Sequence, residues 1–361
     1  MARGNSSTTP LEQIESYLKQ NKTDHYNYAE ERSYTISSGS LLLDIEMGGG
    51  IGPGIIRASG VTEGGKTSCA LSFAREFQKM ANAMVVYIKS EGRLSSDMID
   101  RAGLDTDPEK WFVFKSNVYE AVINLMRELV KNNPTDRRYM FIVDSMDSLV
   151  PKNDLEKPPE EANKVAGGAL LSSDFLRKMA LGMTTHGHIC FMISQIRSKV
   201  SINPYEKSDP RVTNASGGNA LLHYSDWILE FQDRHLKDVI SSQASGKGDV
   251  YGHWCKVVFK KTPNEKTGTL VRYPIRYGRT AGKSIWVEYE VVDMMLAWDM
   301  ATAKGAWITM SDDLIEEIKE KKGLELKKQH QGMDNLRKYF EENKEVGKYI
   351  FFKFRDTLKK S

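Results

Sequence analysis

The sequence predicts an α/β protein, a mainly parallel sheet flanked by helices, and two observations carry that reading. Short apolar runs recur between longer stretches of helical period from residue 55 to residue 193. These runs are apolar throughout rather than alternating, as strands covered on both faces are. A glycine-rich loop also joins the first run to the first long helix, at the end of the sheet where open α/β folds bind ligands.

Taken in order, residues 1–9 are small and polar. Pro10 to Gln20 then places Leu11, Ile14 and Leu18 on one helical face, with Thr9-Pro10 as cap and first-turn proline. This lone amphipathic helix packs either on its own domain or on a neighbouring subunit, and the pattern leaves both open. Glycines cluster from Gly39 to Gly54. Ile55–Ser59 reads as a strand, Ser68–Lys79 as a helix and Met84–Ile88 as a buried strand. Tyr119–Val130 is helical, Tyr139–Val143 a strand, Leu170–His186 helical and Ile189–Ile193 a further buried strand. Trp254–Phe259 and Trp286–Tyr289 read as antiparallel strands extending the sheet. Residues 311–361 are rich in Lys and Glu with a helical period, and Leu336, Tyr339 and Phe340 are expected in a core. The expected division is an N-terminal arm over 1–34, a large α/β core over 35–290 and a small α/β C-terminal domain over 291–361.

Composition narrows the function. With 40% hydrophobic and 27% charged residues, the chain is neither collagen-like nor wholly disordered. Its 51 basic and 48 acidic residues leave a net charge of only +3, so any nucleic-acid contact must be local. Three cysteines, Cys69, Cys190 and Cys255, suit neither a disulfide framework nor a zinc spacing and point to a reducing compartment. No signal-peptide pattern and no 18-residue apolar stretch is present, so the expectation is a cytoplasmic protein without a membrane span.

Gly60-Val61-Thr62-Glu63-Gly64-Gly65-Lys66-Thr67 fits the phosphate-loop pattern G-x-x-x-x-G-K-[ST], followed by Ser68. The glycines let backbone N–H groups turn toward phosphates. Lys66 would reach the β- and γ-phosphates, Thr67 would hold Mg2+, and the helix that follows adds its positive end. ATP with Mg2+ is therefore the expected ligand. Asp144 ends a buried strand and is placed as a second Mg2+ carboxylate, or else as a helix cap. Glu91 ends another strand, as a general base for water or as a solvated carboxylate. Gln195 follows the Ile189–Ile193 strand and could sense the γ-phosphate. Beyond it, Ser198 to Ser216 shows no hydrophobic period, carries Lys199 and Arg211, and closes on Gly217-Gly218-Asn219. A second irregular stretch, Pro151 to Gly168, follows Asp144. Two long aperiodic segments beside one phosphate site suggest that nucleotide state controls a polymeric ligand.

In this order the motifs resemble the RecA family of bacterial and phage DNA recombinases. The likeness runs from about Thr35 to Trp307. It includes Ile36-Ser37-Ser38-Gly39-Ser40-Leu41, the phosphate loop, Val143-Asp144-Ser145, Ser194-Gln195-Ile196-Arg197, Gly217-Gly218-Asn219-Ala220-Leu221 and Lys304-Gly305-Ala306-Trp307. The resemblance implies a RecA-like core in which Lys66, Thr67 and Asp144 bind nucleotide and Mg2+. It places Glu91 at the family's catalytic glutamate and Gln195 at its γ-phosphate sensor. It makes 152–168 and 198–216 the DNA-binding loops, with Lys164, Arg197, Lys199, Tyr205, Arg211, Gly217, Gly218 and Asn219 as DNA contacts. Tyr205 is either a wedge between bases or a solvated loop residue. The N-terminal helix matches the family's polymerisation element. ATP would lie between subunits, with Lys261, and Lys260 as its companion, reaching in from the neighbour.

Five features depart from the family, one of them a second DNA-binding loop that is longer by several residues and carries Asn203-Pro204-Tyr205. Its first interface lysine aligns with Phe259, so the pair is either shifted to Lys260 and Lys261 or reduced to one. Asp-Ala-Glu-His becomes Lys89-Ser90-Glu91-Gly92. Met98 stands where the family stacks an aromatic ring near adenine. The C-terminus, in place of an acidic tail, carries five basic residues and one acidic residue after Gly347, expected to assist capture of duplex DNA.

The implied function is ATP-dependent homologous recombination. A helical filament of this chain on single-stranded DNA would pair with homologous double-stranded DNA and exchange strands, with DNA-stimulated ATP hydrolysis. A helicase-like motor or a regulatory ATPase on the same core is the alternative, and a small-molecule kinase a weaker one.

Overall fold

Apolar runs separated by helices can pair in parallel only if helices cross over both faces of the sheet, and the chain does this. The computed structural model describes residues 9–22, 24, 27, 32–91, 94–133, 136–155, 176, 177, 179–195, 223–242 and 248–360. Strands β1 (Gly54–Gly60), β2 (Ala83–Lys89), β3 (Trp111–Lys115), β4 (Arg138–Asp144), β5 (Ile189–Ile193) and β6 (Trp227–Phe231) pair in parallel. Strands β7 (Val239–Ser241), β8 (Val250–Lys261) and β9 (Leu270–Arg276) continue the sheet antiparallel. The order is β3-β2-β4-β5-β1-β6-β8-β7, with β9 also on β8.

Successive strand residues enter opposite cores, which is why these strands read as unbroken apolar runs. Ile56, Val85 and Ile142 pack with Phe73 and Phe77 of helix α3 (Lys66–Phe77), reached after α1 (Pro10–Gln20) and α2 (Leu41–Glu46). Their neighbours Ile55, Val86 and Val143 pack on the other face with Val122 and Met126 of α5 (Tyr119–Lys131), which follows α4 (Ser96–Ala102). β1 lies between two parallel partners and is buried along its whole length. The phosphate loop therefore leaves a strand enclosed on both faces and both edges. All three cysteines are buried free thiols, and burial pushes Cys190 up to about 12 and Cys255 up to about 11.

Of the six parallel strands, two escape a reading by apolar runs. β3 lies at the sheet edge and leaves Phe112 exposed, while β6 carries Glu230 among its apolar residues. The expected strand at Trp286–Tyr289 is corrected: the sheet ends with a bridge between Ile275 and Ile285, and Trp286 caps helix α7 (Val287–Ala297), preceded by the short α6 (Lys152–Leu155). Val291, Val292, Met294 and Met295 recur at helical spacing and bury together, and that longer period overrides the local cluster of aromatic and β-branched residues at Trp286, Val287 and Tyr289. Of the helix expected over Leu170–His186, residues 179–185 are helical, and most of its first half lies outside the described residues.

The C-terminal region forms a third core around a small antiparallel sheet of β10 (Ala301–Lys304), β11 (Trp307–Met310) and β12 (Gln329–Gln331). Helices α8 (Asp312–Lys322), α9 (Gly332–Glu342) and α10 (Lys344–Lys360) surround it. Leu336 and Phe340 are buried in this core, and Tyr339 packs against it. The last fourteen residues are not a free basic tail. Residues 348–360 belong to α10, which buries Ile350 and Phe354, and Lys348, Lys353 and Arg355 pair with Glu345, Glu317 and Glu76. Cutting the chain after Gly347 would empty this core, so it would not isolate an electrostatic contribution.

Glu290 of α7 joins this region to the phosphate-binding sheet. Its fully buried carboxylate accepts the Ser40 hydroxyl and, at 2.9 Å, the Leu41 N–H. Burial, outweighing those bonds, raises its pKa to about 8, and likewise raises Asp44 and Asp293 to about 6. Between its ordinary pKa and about 8, Glu290 is protonated when folded and ionised when unfolded, so stability falls as pH rises through that window. Glu290→Gln can still satisfy Ser40 and Leu41 without a charge. Its denaturation midpoint is expected to drop less than the parental midpoint between pH 5 and 8, as followed by urea unfolding.

Candidate functional site

The site is built where β1, β2, β4 and β5 end on the same side of the sheet. At the end of β1 the chain must turn tightly between Phe231 and Cys255. Gly60 has φ +139°, and a Cβ there would lie 2.3 Å from the Phe231 carbonyl oxygen. Gly65 has φ +107°, and its Cβ would approach the Cys255 Sγ to 3.1 Å. Gly65 opens α3 without a side-chain cap, which leaves the first-turn N–H groups directed at the loop. Val61 and Gly64 are half-buried and Thr62, Glu63 and Ser68 are exposed. The buried Lys66 ammonium donates to the carbonyls of Gly60 and Val61 at 2.9 and 2.6 Å.

The Thr67 hydroxyl donates to Asp144 Oδ2 at 2.9 Å. The same oxygen accepts the Tyr87 hydroxyl at 2.6 Å. Burial, with the Asp144 charge second, holds the Tyr87 hydroxyl far above its ordinary pKa, so it remains a donor that fixes the carboxylate. Two hard oxygen ligands are thus set side by side beneath a cradle of N–H groups, which fits Mg2+ with bound phosphates. Among the described residues there is no cluster of three or more His, Cys, Asp or Glu that would compete as a metal site.

Pairing of β2 with β4 brings Glu91 to the same place, since Lys89 stands opposite Asp144. The Ser90 and Glu91 N–H groups both donate to the Asp144 carbonyl. Glu91 Oε1 accepts hydroxyls from Ser145 at 2.6 Å and Ser148 at 2.8 Å. Those hydroxyls sit on the turn that leaves β4, so one turn fixes both the orientation of Glu91 and its distance from Asp144. Lys89 points elsewhere, donating to the Leu94 carbonyl at 3.2 Å. Gln195 follows β5, and its N–H donates to Asp147 Oδ2 on that same turn at 2.6 Å.

Lys66, Thr67, Asp144, Glu91 and the Gln195 backbone are therefore brought together, whereas Lys261 is not. Lys261 pairs with Ile228, three residues before the Phe231 that touches the loop, or about 10 Å along the strand. Phe259 is wholly buried, which removes it as a counterpart of an interface lysine. A β-bulge follows: Phe259 pairs with Leu229 and Lys261 with Ile228, so Lys260 is the extra residue. Lys260 pairs with Glu230 at 3.2 Å, and Lys261 donates to the His223 carbonyl at 2.9 Å. Of the DNA-contact candidates, Lys164, Arg197, Lys199, Tyr205, Arg211, Gly217, Gly218 and Asn219 lie outside the described residues.

A cavity of about 430 Å³ opens beside the loop, lined by Ser68, Met98, Arg234, His253, Tyr277 and Arg279 among others. Met98 is the position singled out by sequence. The other four distant residues come from the strand β8 and the ends of β6 and β9, and no local motif marks them.

Residues 8–267 match the RecA N-terminal domain. The chain belongs to the RecA family. It is similar to proteins named Protein RecA from Rippkaea orientalis, 28% identical over 91% of this chain and 84% of that one. It is also similar to those of Gloeothece citriformis, 29% identical over 91% and 83%, and Synechocystis, 27% identical over 91% and 82%. The mixed α/β fold with its large, mostly parallel sheet is the RecA-like core expected from the motif order. The family match ends at residue 267, so it takes in β1 to β8 and the whole constellation around Thr67 and Asp144.

Proposed function

We propose that this chain is an ATP-dependent DNA recombinase, and the observation that carries the proposal is the joining of Thr67, Asp144 and Glu91 at the ends of three neighbouring strands. Membership of the RecA family supports nucleotide and DNA binding and a part in recombination and repair. The loop N–H groups and Lys66 would bind the phosphates of ATP, and Thr67 and Asp144 would hold Mg2+, which neutralises phosphate charge. Glu91 would orient a water and take its proton as the water oxygen bonds the γ-phosphorus and the bond to ADP breaks. Gln195, at the start of the 196–219 segment, is placed to report loss of the γ-phosphate. Arg197, Lys199 and Arg211, with Gly217 and Gly218, would hold DNA phosphates without reading sequence, and Lys164, Tyr205 and Asn219 would add contacts from the same segments.

Helix α1 supports a filament. Thr9 and Glu12 close a capping box, yet the helix buries no residue, and Leu11, Ile14 and Tyr17 are each more than half exposed. An ordered helix with a bare apolar face suits packing on the next subunit. Filament geometry would then bring Lys260 and Lys261 to the neighbour's ATP. The proposed division is an arm over 1–34, a core over 35–290 and a C-terminal domain over 291–361. No helix among the described residues is long and apolar enough to cross a membrane.

The test is ATP hydrolysis with and without single-stranded DNA, with the same samples imaged on grids and then assayed for strand exchange. DNA-stimulated hydrolysis with helical filaments and exchanged strands is the expected result. Closed rings, or hydrolysis indifferent to DNA, would transfer the site to a helicase-like motor or a regulatory ATPase.

A further inference from the structure

Helix α10 carries more apolar surface than its own core covers. Val346, Ile350 and Phe354 recur at helical spacing and bury in the C-terminal core. A second stripe at helical spacing, Lys344, Gly347, Lys348 and Phe351 with Phe352 at its edge, faces a groove of about 680 Å³. The groove runs between α10, the start of α7 and the turn after β9. Its floor is apolar, and Ile285, Val287 and Phe351 lie half-buried in it. Phe352 is 53% exposed, and its ring meets Phe351 edge to face with centroids 5.6 Å apart. Phe351 packs against the margin of the core, the Arg355 guanidinium lies 5.8 Å from its ring centre, and Arg355 in turn pairs with Glu76. The floor of the groove is thus braced from behind.

The rim is basic. Arg276, Arg279, Lys283, Lys344 and Lys348 line the groove against two carboxylates, Glu288 and Glu341. Arg276 pairs with Glu341 and Lys348 with Glu345, while Arg279, Lys283 and Lys344 make no ion pair among the described residues. An apolar patch beside unpaired cations is complementary to an occupant that brings carboxylates and an apolar side chain together. A nucleic-acid backbone brings charge alone. Its closely spaced phosphates would meet Glu288 and Glu341 and leave the floor uncovered. The groove therefore favours a peptide. Arg276, Arg279, Gly282 and Ile285 also line the cavity beside the phosphate loop, so an occupant would abut the wall of the nucleotide site.

We propose that the groove between α7 and α10 is a docking site for an acidic segment of a partner protein. An aromatic or aliphatic side chain of that segment sits on Phe351 and Phe352, and its carboxylates meet Arg279, Lys283, Lys344 and Lys348. Lys344 to Phe352 spans about 12 Å along the helix axis, which an extended segment of about four residues or a helical one of about eight would cover.

The experiment measures binding of fluorescent peptides to the full chain by anisotropy. One peptide, Asp-Glu-Asp-Phe-Glu-Asp-Ile-Glu-Asp, carries both charge and anchors. A second has serine in place of its Phe and Ile, and a third has Asn and Gln in place of its carboxylates. The first is expected to bind, and each of the others to bind about tenfold more weakly or worse. Lys344→Glu/Lys348→Glu and, separately, Phe352→Ser should each weaken the first peptide by about tenfold. The three side chains are exposed, and a carboxylate at Lys344 suits the first turn of α10, so both variants are expected to fold. No binding of the first peptide, equal binding of the serine peptide, or parental affinity in both variants would overturn the inference. A short DNA duplex that displaces the peptide and loses affinity in the same variants would assign the groove to nucleic acid and overturn it as well.

Discussion

Glu91→Gln is expected to lower DNA-stimulated hydrolysis about 10²–10⁴-fold while ATP still binds. The amide keeps an oxygen for the Ser145 and Ser148 hydroxyls, which donate to Glu91 Oε1 at 2.6 and 2.8 Å, so the turn that also carries Asp147 need not rearrange. What disappears is the capacity to accept a proton from water. Lys66→Ala should also abolish turnover, but for a different reason. Its ammonium braces the Gly60 and Val61 carbonyls, so its loss removes a phosphate contact and loosens the loop together. The two variants separate in a binding assay with a fluorescent ATP analogue. Glu91→Gln should bind near the parental affinity and persist on DNA as filaments in ATP, because the γ-phosphate stays in place. Lys66→Ala should bind weakly. Parental turnover in Glu91→Gln would remove Glu91 as the base.

How much of this was legible in the sequence differs from element to element for physical reasons. The buried strands at Ile55, Met84, Tyr139 and Ile189 were readable because both faces are covered, which forces unbroken apolar runs. The phosphate loop was readable because cradle, lysine and hydroxyl are consecutive. Asp144 and Glu91 were readable because each ends such a strand. Tyr87 was not, since a tyrosine in a buried run looks like core until its hydroxyl is seen on Asp144. Trp286 misled because four residues rich in aromatic and β-branched side chains cannot reveal the helix that starts after it. The basic C-terminus misled for the opposite reason. Its charges stand out in sequence, while the Glu317 and Glu76 that pair with Lys353 and Arg355 are distant in the chain. Glu230 is likewise intelligible only with Lys260, some thirty residues on, at its side.

The bulge at Lys260 carries the second large expectation. Because Phe259 is buried, Lys260 pairs with Glu230 and Lys261 donates to the His223 carbonyl, loss of the two lysines is expected to disable hydrolysis through the neighbour. Lys260→Ala/Lys261→Ala is therefore expected to retain ATP binding within severalfold and to lose most DNA-stimulated turnover, as when preorganised cations are removed from a developing negative charge. Mixing decides between action in cis and in trans. In a head-to-tail filament each site joins one chain's Lys66 to the next chain's lysine pair. An equimolar mixture of Lys66→Ala with the double-lysine variant, each inactive alone, builds intact sites wherever a double-lysine chain receives its neighbour's pair from a Lys66→Ala chain. Random assembly makes about a quarter of the interfaces of that kind, so about a quarter of the parental rate per chain should return. An unchanged, inactive mixture whose filaments contain both chains would mean that the lysines serve only their own subunit.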